Sequence, residues 1–218
     1  MNEIECKLLK PFGSTIAQSS MPKELIDDFT KDLTKIRTNP ELKKNHYFGE
    51  RLVGQIHSEY LISPDIMLKW KQNYFDHIIR HYCLSHYKNS TIKSILVTAA
   101  WHNVQKQADY NPCHTHTRFT HSQNPHISTV GYIKLPKKMV DYKHSKEHSN
   151  VNGYIEFTEG TEDIFTNSNY LIPPKLGTFY VFPATLRHCV YPFYCEDEND
   201  ERISFSFNAK IIFDEKTS

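Results

Sequence analysis

Arg202-Ile203-Ser204-Phe205-Ser206-Phe207-Asn208-Ala209 alternates polar and apolar residues at every step. In an extended strand successive side chains point to opposite faces, so Arg202, Ser204, Ser206 and Asn208 share one side. Ile203, Phe205, Phe207 and Ala209 share the other. The commoner use of such alternation is an antiparallel strand with its polar side in water. The second reading turns the polar side into a barrel interior built around a small anionic ligand and packs the apolar side on helices. A planar guanidinium binds a carboxylate through two parallel hydrogen bonds, and the Ser two residues on adds a third donor, so Arg202 and Ser204 suit a dicarboxylate.

Working outward, the segments from Ser90 onward read as strands: Thr91 to Val104, Cys113 to Thr117, Ile127 to Leu135, Gly153 to Phe157, Thr178 to Phe182, His188 to Phe193 and Arg202 to Phe213. Three polar loops interrupt them, Arg118 to His126, Lys137 to Asn152 and the acidic Glu196 to Glu201. Before Ser90 the signal is mostly helical. Ser20 and Pro22 supply an N-cap and an early helical proline for a helix with Leu25, Ile26, Phe29, Leu33 and Ile36 on one face, ending near Asn39-Pro40. Ser63 and Pro64 open a second helix in which Ile66, Trp70, Tyr74, Ile78 and Tyr82 recur at every fourth residue to about Tyr87. Glu3 to Leu9 reads as a strand. The expected fold is mainly β with flanking helices, a sandwich or barrel supported by N-terminal α-helices. One domain is expected over 1–218, with a helical support region 1–90 and a β core 91–218.

Composition narrows the function. The 218 residues carry 26 basic and 25 acidic side chains, a net charge of +1 that offers no general attraction to nucleic acid or an anionic membrane. No apolar run is long enough to span a bilayer and no signal peptide opens the chain, so a cytoplasmic protein is expected. Five Cys without a C-x-x-C fit reduced thiols better than a disulfide framework.

His114-Thr115-His116 places two imidazoles on one strand face, where they can grip one metal ion. A third ligand must come from elsewhere, and His188, after a strand and a turn, is the best candidate. The alternative is that all three are surface or hydrogen-bonded histidines. His121, His126, His144 and His148 lie in polar loops and are expected to be solvated. Cys113 and Cys189 flank the proposed ligands and are expected to turn to the opposite face as buried small residues.

The order His114-Thr115-His116, His188, then Arg202-Ile203-Ser204 resembles the iron(II)- and 2-oxoglutarate-dependent oxygenases, whose double-stranded β-helix, a cupin-like jelly roll, carries H-x-[D/E], a distal His and Arg-x-Ser. A phage and bacterial subgroup is similar also at Leu52-Val-Gly-Gln-Ile, Trp101, Val130-Gly-Tyr132 and Phe182-Pro183. The resemblance implies iron(II) held by His114, His116 and His188, with 2-oxoglutarate and O2 as cosubstrates. It places the far carboxylate on Arg202 and Ser204, with Tyr132 donating its hydroxyl and Asn103 or Trp101 touching cosubstrate or substrate. Hydroxylation of a small molecule or peptide is implied, with a free or peptidyl amino acid, prolyl included, as the substrate class. His116 stands where the family has an acid. Asp109 and Glu156 are the lower-ranked sources of a carboxylate ligand. A cupin expects a Glu about four residues after the second His, where Thr120 and His121 stand, and a three-His zinc hydrolase gives Arg202 and Ser204 no task. A non-catalytic β-barrel binding module is the remaining reading. Oligomeric state is not legible.

Overall fold

The computed structural model describes residues 6–9, 13–86, 91–117, 124–141, 150–161, 163–164 and 167–214. Its strands are β1 (Cys6–Leu9), β2 (Ile16–Ser20), β3 (Ser58–Leu61), β4 (Ile92–Gln105), β5 (Asn111–His114), β6 (Ile127–Lys134), β7 (Ile155–Thr158), β8 (Asn169–Ile172), β9 (Thr178–Pro183), β10 (Arg187–Val190) and β11 (Arg202–Phe213). They form a seven-stranded sheet in the order β1-β2-β9-β6-β11-β4-β3 and a four-stranded sheet in the order β5-β10-β7-β8. Every strand pair is antiparallel. This is the double-stranded β-helix architecture, with helices packed outside the larger sheet.

The larger sheet is covered on both faces, which is why β6 and β9 are almost continuously buried rather than alternating with water. On the outer face Ile203, Phe205, Phe207 and Ala209 of β11 join Phe179, Val181 and Ile127 in one core with the helices. Between the sheets Val130, Tyr132, Tyr180 and Phe182 meet Ile155, Phe157 and Ile172 in a second. The polar side of β11 therefore faces the space between the sheets and not water.

The outer core is completed by α1 (Lys23–Thr38), which buries Leu25, Phe29, Leu33 and Ile36 at helical spacing. Its N-cap is Pro22, without a side-chain cap, and Ser20 ends β2 instead. Pairing of β2 with β9 claims Ser20 for the sheet, overriding its capping preference. Asn39 then caps a short helix absent from the sequence reading, α2 (Pro40–His46), its Oδ1 accepting from the N–H groups of Glu41 and Leu42 at 3.0 and 3.1 Å. The second expected helix is α3 (Pro64–Trp70) and α4 (Asp76–His86), joined by a π-helical turn at Lys71–Phe75. The turn lets the adjacent Tyr74 and Phe75 both be buried. Buried His102 of β4 donates from Nε2 to Asp32 of α1 at 3.0 Å, and Asp32 also accepts from the N–H of Ser63, tying α1 and the start of α3 to the sheet.

Residues 6–90 also contribute β1, β2 and β3 to the larger sheet, so the first part of the chain is more than a helical support. Residues 3–5 of the expected first strand, Tyr87, and His121, His144 and His148 lie outside the described residues, as do Thr120 and the rest of residues 118–123 and 142–149, which the sequence assigns to polar loops. His126 is exposed, as expected. The five Cys are free, but Cys113 is exposed and Cys189 only half-buried, correcting the expectation that both are buried: they face away from the space between the sheets, on the open side of the smaller sheet.

Gly131 lies directly opposite Phe205 across β6 and β11. A Cβ there would overlap Phe205 Cε1 and Cζ and press on Met21 Sδ at 3.2 Å. The ring is fully buried and cannot swing away. Gly131→Ala is expected to cost roughly 1–3 kcal/mol as an overpacking change, read as a lower urea midpoint.

Candidate active site

His114 and His188 are direct partners across β5 and β10, with ring centroids 4.3 Å apart. His116 lies just past the end of β5, held there by its backbone N–H on the carbonyl of Ala184 at 2.9 Å. Its ring is 5.0 Å from that of His114 and 5.1 Å from that of His188. Among the described residues these three form the one group of potential ligand atoms that converges, all within 4.8 Å of one another.

The hydrogen bonds decide which nitrogens are free. His114 Nδ1 lies 2.7 Å from the carbonyl of Pro112 and His188 Nδ1 2.9 Å from that of Leu186. A carbonyl only accepts, so both Nδ1 atoms carry the proton and both Nε2 lone pairs are free. His116 Nδ1 lies 3.2 Å from the Asn208 side-chain amide, whose Oδ1 has no partner. Turning that amide half a turn gives Nδ1–H an acceptor and frees His116 Nε2 as well. His116 Nε2 and His188 Nε2 then face each other at 3.3 Å, two lone pairs that one shared cation would satisfy. A proton is disfavoured: burial first, then the neighbouring imidazoles, lower His116 to about 3 and His188 well below the usual range, and burial, opposed by the hydrogen bond to the Pro112 carbonyl, lowers His114. Three neutral nitrogen donors in a buried pocket fit a divalent first-row metal.

No acid joins them. Glu156 pairs with Cys189 across β7 and β10, one residue out of step with the His188–Phe157 pair, so it points away from the imidazoles. There it accepts from the Tyr191 hydroxyl at 2.5 Å. Asp109 instead accepts from the backbone N–H groups of His57 and Lys106 at 2.7 and 3.0 Å.

The imidazoles open into a cavity of about 410 Å³ between the sheets, lined also by Trp101, Asn103, Gln105, Tyr132 and Ser204. Behind Gln105 stands Arg202, fully buried. Its Nε donates to Gln105 Oε1 at 3.1 Å and its Nη1 to the carbonyl of Gly153 at 2.6 Å, while Nη2 has no partner among the described residues. Tyr132 Oη and Gln105 Nε2 are likewise buried without a partner. Three orphaned donors around one guanidinium need an acceptor, and a carboxylate offers the lone pairs. Burial lowers Arg202 to about 10, leaving it charged at neutral pH. Asn103 lines the cavity, but its amide is engaged by Trp101 Nε1 at 3.0 Å and by Ser206 Oγ at 3.3 Å. Gln105 escaped the sequence reading; its signal was the end of the strand that pairs with Arg202.

Residues 99–208 match the family model described as "Putative 2OG-Fe(II) oxygenase". The chain belongs to this family. It is a 2-oxoglutarate-dependent oxygenase, with iron(II) and 2-oxoglutarate as cofactor and cosubstrate. No curated protein matches it. Among solved structures it is similar to a Pseudomonas putida prolyl-4-hydroxylase (TM-score 0.59, 13% identity, 89% of this chain and 91% of that one). A prolyl hydroxylase from Trichoplax adhaerens, in complex with a peptide fragment, is also similar (TM-score 0.55, 11% identity, 94% and 83%). So is HygX from Streptomyces hygroscopicus with nickel and 2-oxoglutarate bound (TM-score 0.52, 9% identity, 89% and 81%). At these identities the likeness establishes the shared fold. No helix among the described residues is long and apolar enough to cross a membrane.

The orphaned Tyr132 hydroxyl yields a test of its own. Tyr132→Phe removes a buried unsatisfied group and is expected to stabilise the ligand-free oxygenase by roughly 1–3 kcal/mol in urea unfolding. An unchanged midpoint would mean that the hydroxyl is hydrated in solution.

Proposed function

We propose that this oxygenase hydroxylates a small molecule or a peptide, a free or peptidyl amino acid being the substrate class, with iron(II) on His114, His116 and His188. Arg202 Nη2, Tyr132 Oη, Gln105 Nε2 and Ser204 receive the far carboxylate of 2-oxoglutarate. The observation that carries the reading is one cavity with unprotonated imidazole nitrogens on one wall and orphaned donors at its end. When bound, iron and 2-oxoglutarate together supply the oxidation, in which O2 yields succinate, carbon dioxide and an alcohol at a substrate C–H. The chain supplies position. The carbonyls of Pro112 and Leu186 fix the tautomers of His114 and His188, and Asn208 orients His116. Phe182, its ring centroid 4.9 Å from that of His188, and Trp101, 6.1 Å from His116, wall the imidazoles from water. A peptide-bound prolyl hydroxylase among the similar structures supports the peptide arm of the substrate class. A zinc hydrolase leaves the donors around Arg202 without use.

Arg202→Ala is expected to weaken 2-oxoglutarate binding more than tenfold, roughly 2–5 kcal/mol by analogy with truncated charge pairs, while metal binding persists. Calorimetry giving equal affinity would remove Arg202 from the site.

His116 is tested by two variants. His116→Asp restores the acid usual in the family and is expected to hold iron(II) at least as tightly as the parent, because the added negative charge attracts the cation. His116→Ala is expected to lose metal or leave a position open. Iron(II) affinity under nitrogen and succinate release in air are measured for all three proteins, and alanine matching the parent in both would leave a two-imidazole site.

A further inference from the structure

Glu59 of β3 is 2% exposed and lines the same cavity. Its carboxyl has no hydrogen-bond or ion-pair partner among the described residues. Strand register places Glu59 opposite Asn103, Asn103 opposite Ser204, and Ser204 opposite Tyr132, so the four form a row across the sheet. Two strand spacings separate Glu59 from Ser204, about 10 Å, too far for both to hold one carboxylate. The cavity is thus divided: donors without acceptors lie toward Arg202, and a carboxyl without a donor lies toward β3.

Three facts narrow what that carboxyl does. It is not a metal ligand, because the converging group is the three imidazoles alone among the described residues. Burial, and after it the like charge of another acid, Asp109, pushes Glu59 up to about 8. The one cationic side chain in the cavity lining, Arg51, is exposed and stands over the Phe48 ring at 5.9 Å. His57, two residues away, is exposed. A carboxyl so placed is satisfied by a proton or by a cation brought from outside. Phe48, Leu52 and Trp101 line the same cavity and offer apolar surface for an alkyl chain.

We propose that the substrate carries a protonated amine or guanidinium, and that Glu59 is the residue that pairs with it. This rests on the reading of the cavity as the oxygenase site and adds the charge of the substrate.

The test uses the full chain loaded with Mn(II) and 2-oxoglutarate under nitrogen, so that nothing turns over. Free L-lysine, free L-arginine and acetyl-Gly-Lys-Gly-amide are titrated against their norleucine counterparts. At pH 8.5 at least one cationic probe is expected to bind the parent tenfold or more tighter than its neutral counterpart, and Glu59→Gln to abolish the difference. The peptide or the free amino acids binding preferentially tells the source of the cation. Affinity is expected to rise about tenfold per pH unit up to about pH 8, where Glu59 ionises, and then to level off. In the ligand-free parent, the raised carboxyl contributes stability that is full below its ordinary 4.5 and lost as the pH passes about 8, a slope that Glu59→Gln and Glu59→Leu lack.

Both variants are expected to keep parent affinity for Mn(II) and 2-oxoglutarate, which also reports that they fold. Equal preference in parent and Glu59→Gln, or no cationic preference in the parent, overturns the proposal. Loss of Mn(II) from Glu59→Gln overturns it too, by placing Glu59 in the metal centre. A parent that binds neither Mn(II) nor 2-oxoglutarate defeats the oxygenase-site reading instead, and the same cationic titrations without them still read Glu59.

Discussion

A guanidinium enclosed on all sides is the constraint around which this fold is arranged. Removing an ion from water costs several kcal/mol even after relaxation, and Arg202 recovers only part of that from neutral acceptors, Gln105 Oε1 and the Gly153 carbonyl. The Phe193 ring lies 4.9 Å from it and excludes solvent. Gly153 makes the approach possible: its φ is 72°, and a Cβ there would stand 2.6 Å from Nη1. Among the described residues no carboxylate pairs with Arg202. The ligand-free protein therefore keeps a positive, under-bonded centre behind Gln105 of the cavity wall, and an anion that completes it would stabilise the folded state by binding that state alone.

The same strand explains why so much could be read in advance. Residues 202–209 alternate because β11 separates two different interiors, an aromatic core shared with α1 and α4 and a polar cavity shared with β5 and β10. The alternation alone did not say which interior was wet. The His114–His116 pair and the distal His188 tipped that choice, and the structure brings the three together although His116 lies outside the strand expected to carry it. Helices with a continuous apolar face, such as α1, were equally legible.

What escaped the sequence was whatever only pairing creates. The strands β2, β3 and β8 have five, four and four residues, too few for a period to stand out. The helix α2 buries no residue and owes its existence to Asn39 and Pro40. Gln105 is defined by a partner 97 positions away, and Glu59 sits in Ser-Glu-Tyr-Leu, where nothing local marks its carboxyl as enclosed. Such residues become visible through register, because β4 carries the row from Glu59 to Ser204 across the sheet.

Charge links the departure at His116 to the placement of Glu59. Three neutral imidazoles contribute nothing toward balancing a divalent cation, whereas the acid usual in the family contributes one negative charge. On the proposed assignment, iron(II) and doubly ionised 2-oxoglutarate cancel, and Arg202 leaves the enclosed part of the site with one positive charge, Arg51 of the cavity lining being exposed. A protonated Glu59 does not change that total. Replacing its proton by an organic cation does not change it either, since the carboxylate formed and the cation received are equal and opposite. The exchange is electrically neutral in a region of low dielectric, where adding an uncompensated charge would be costly. A carboxyl held near neutrality by burial is suited to such an exchange: one ionised at low pH would already have drawn a permanent partner from the chain, and one that never ionised could not receive a cation.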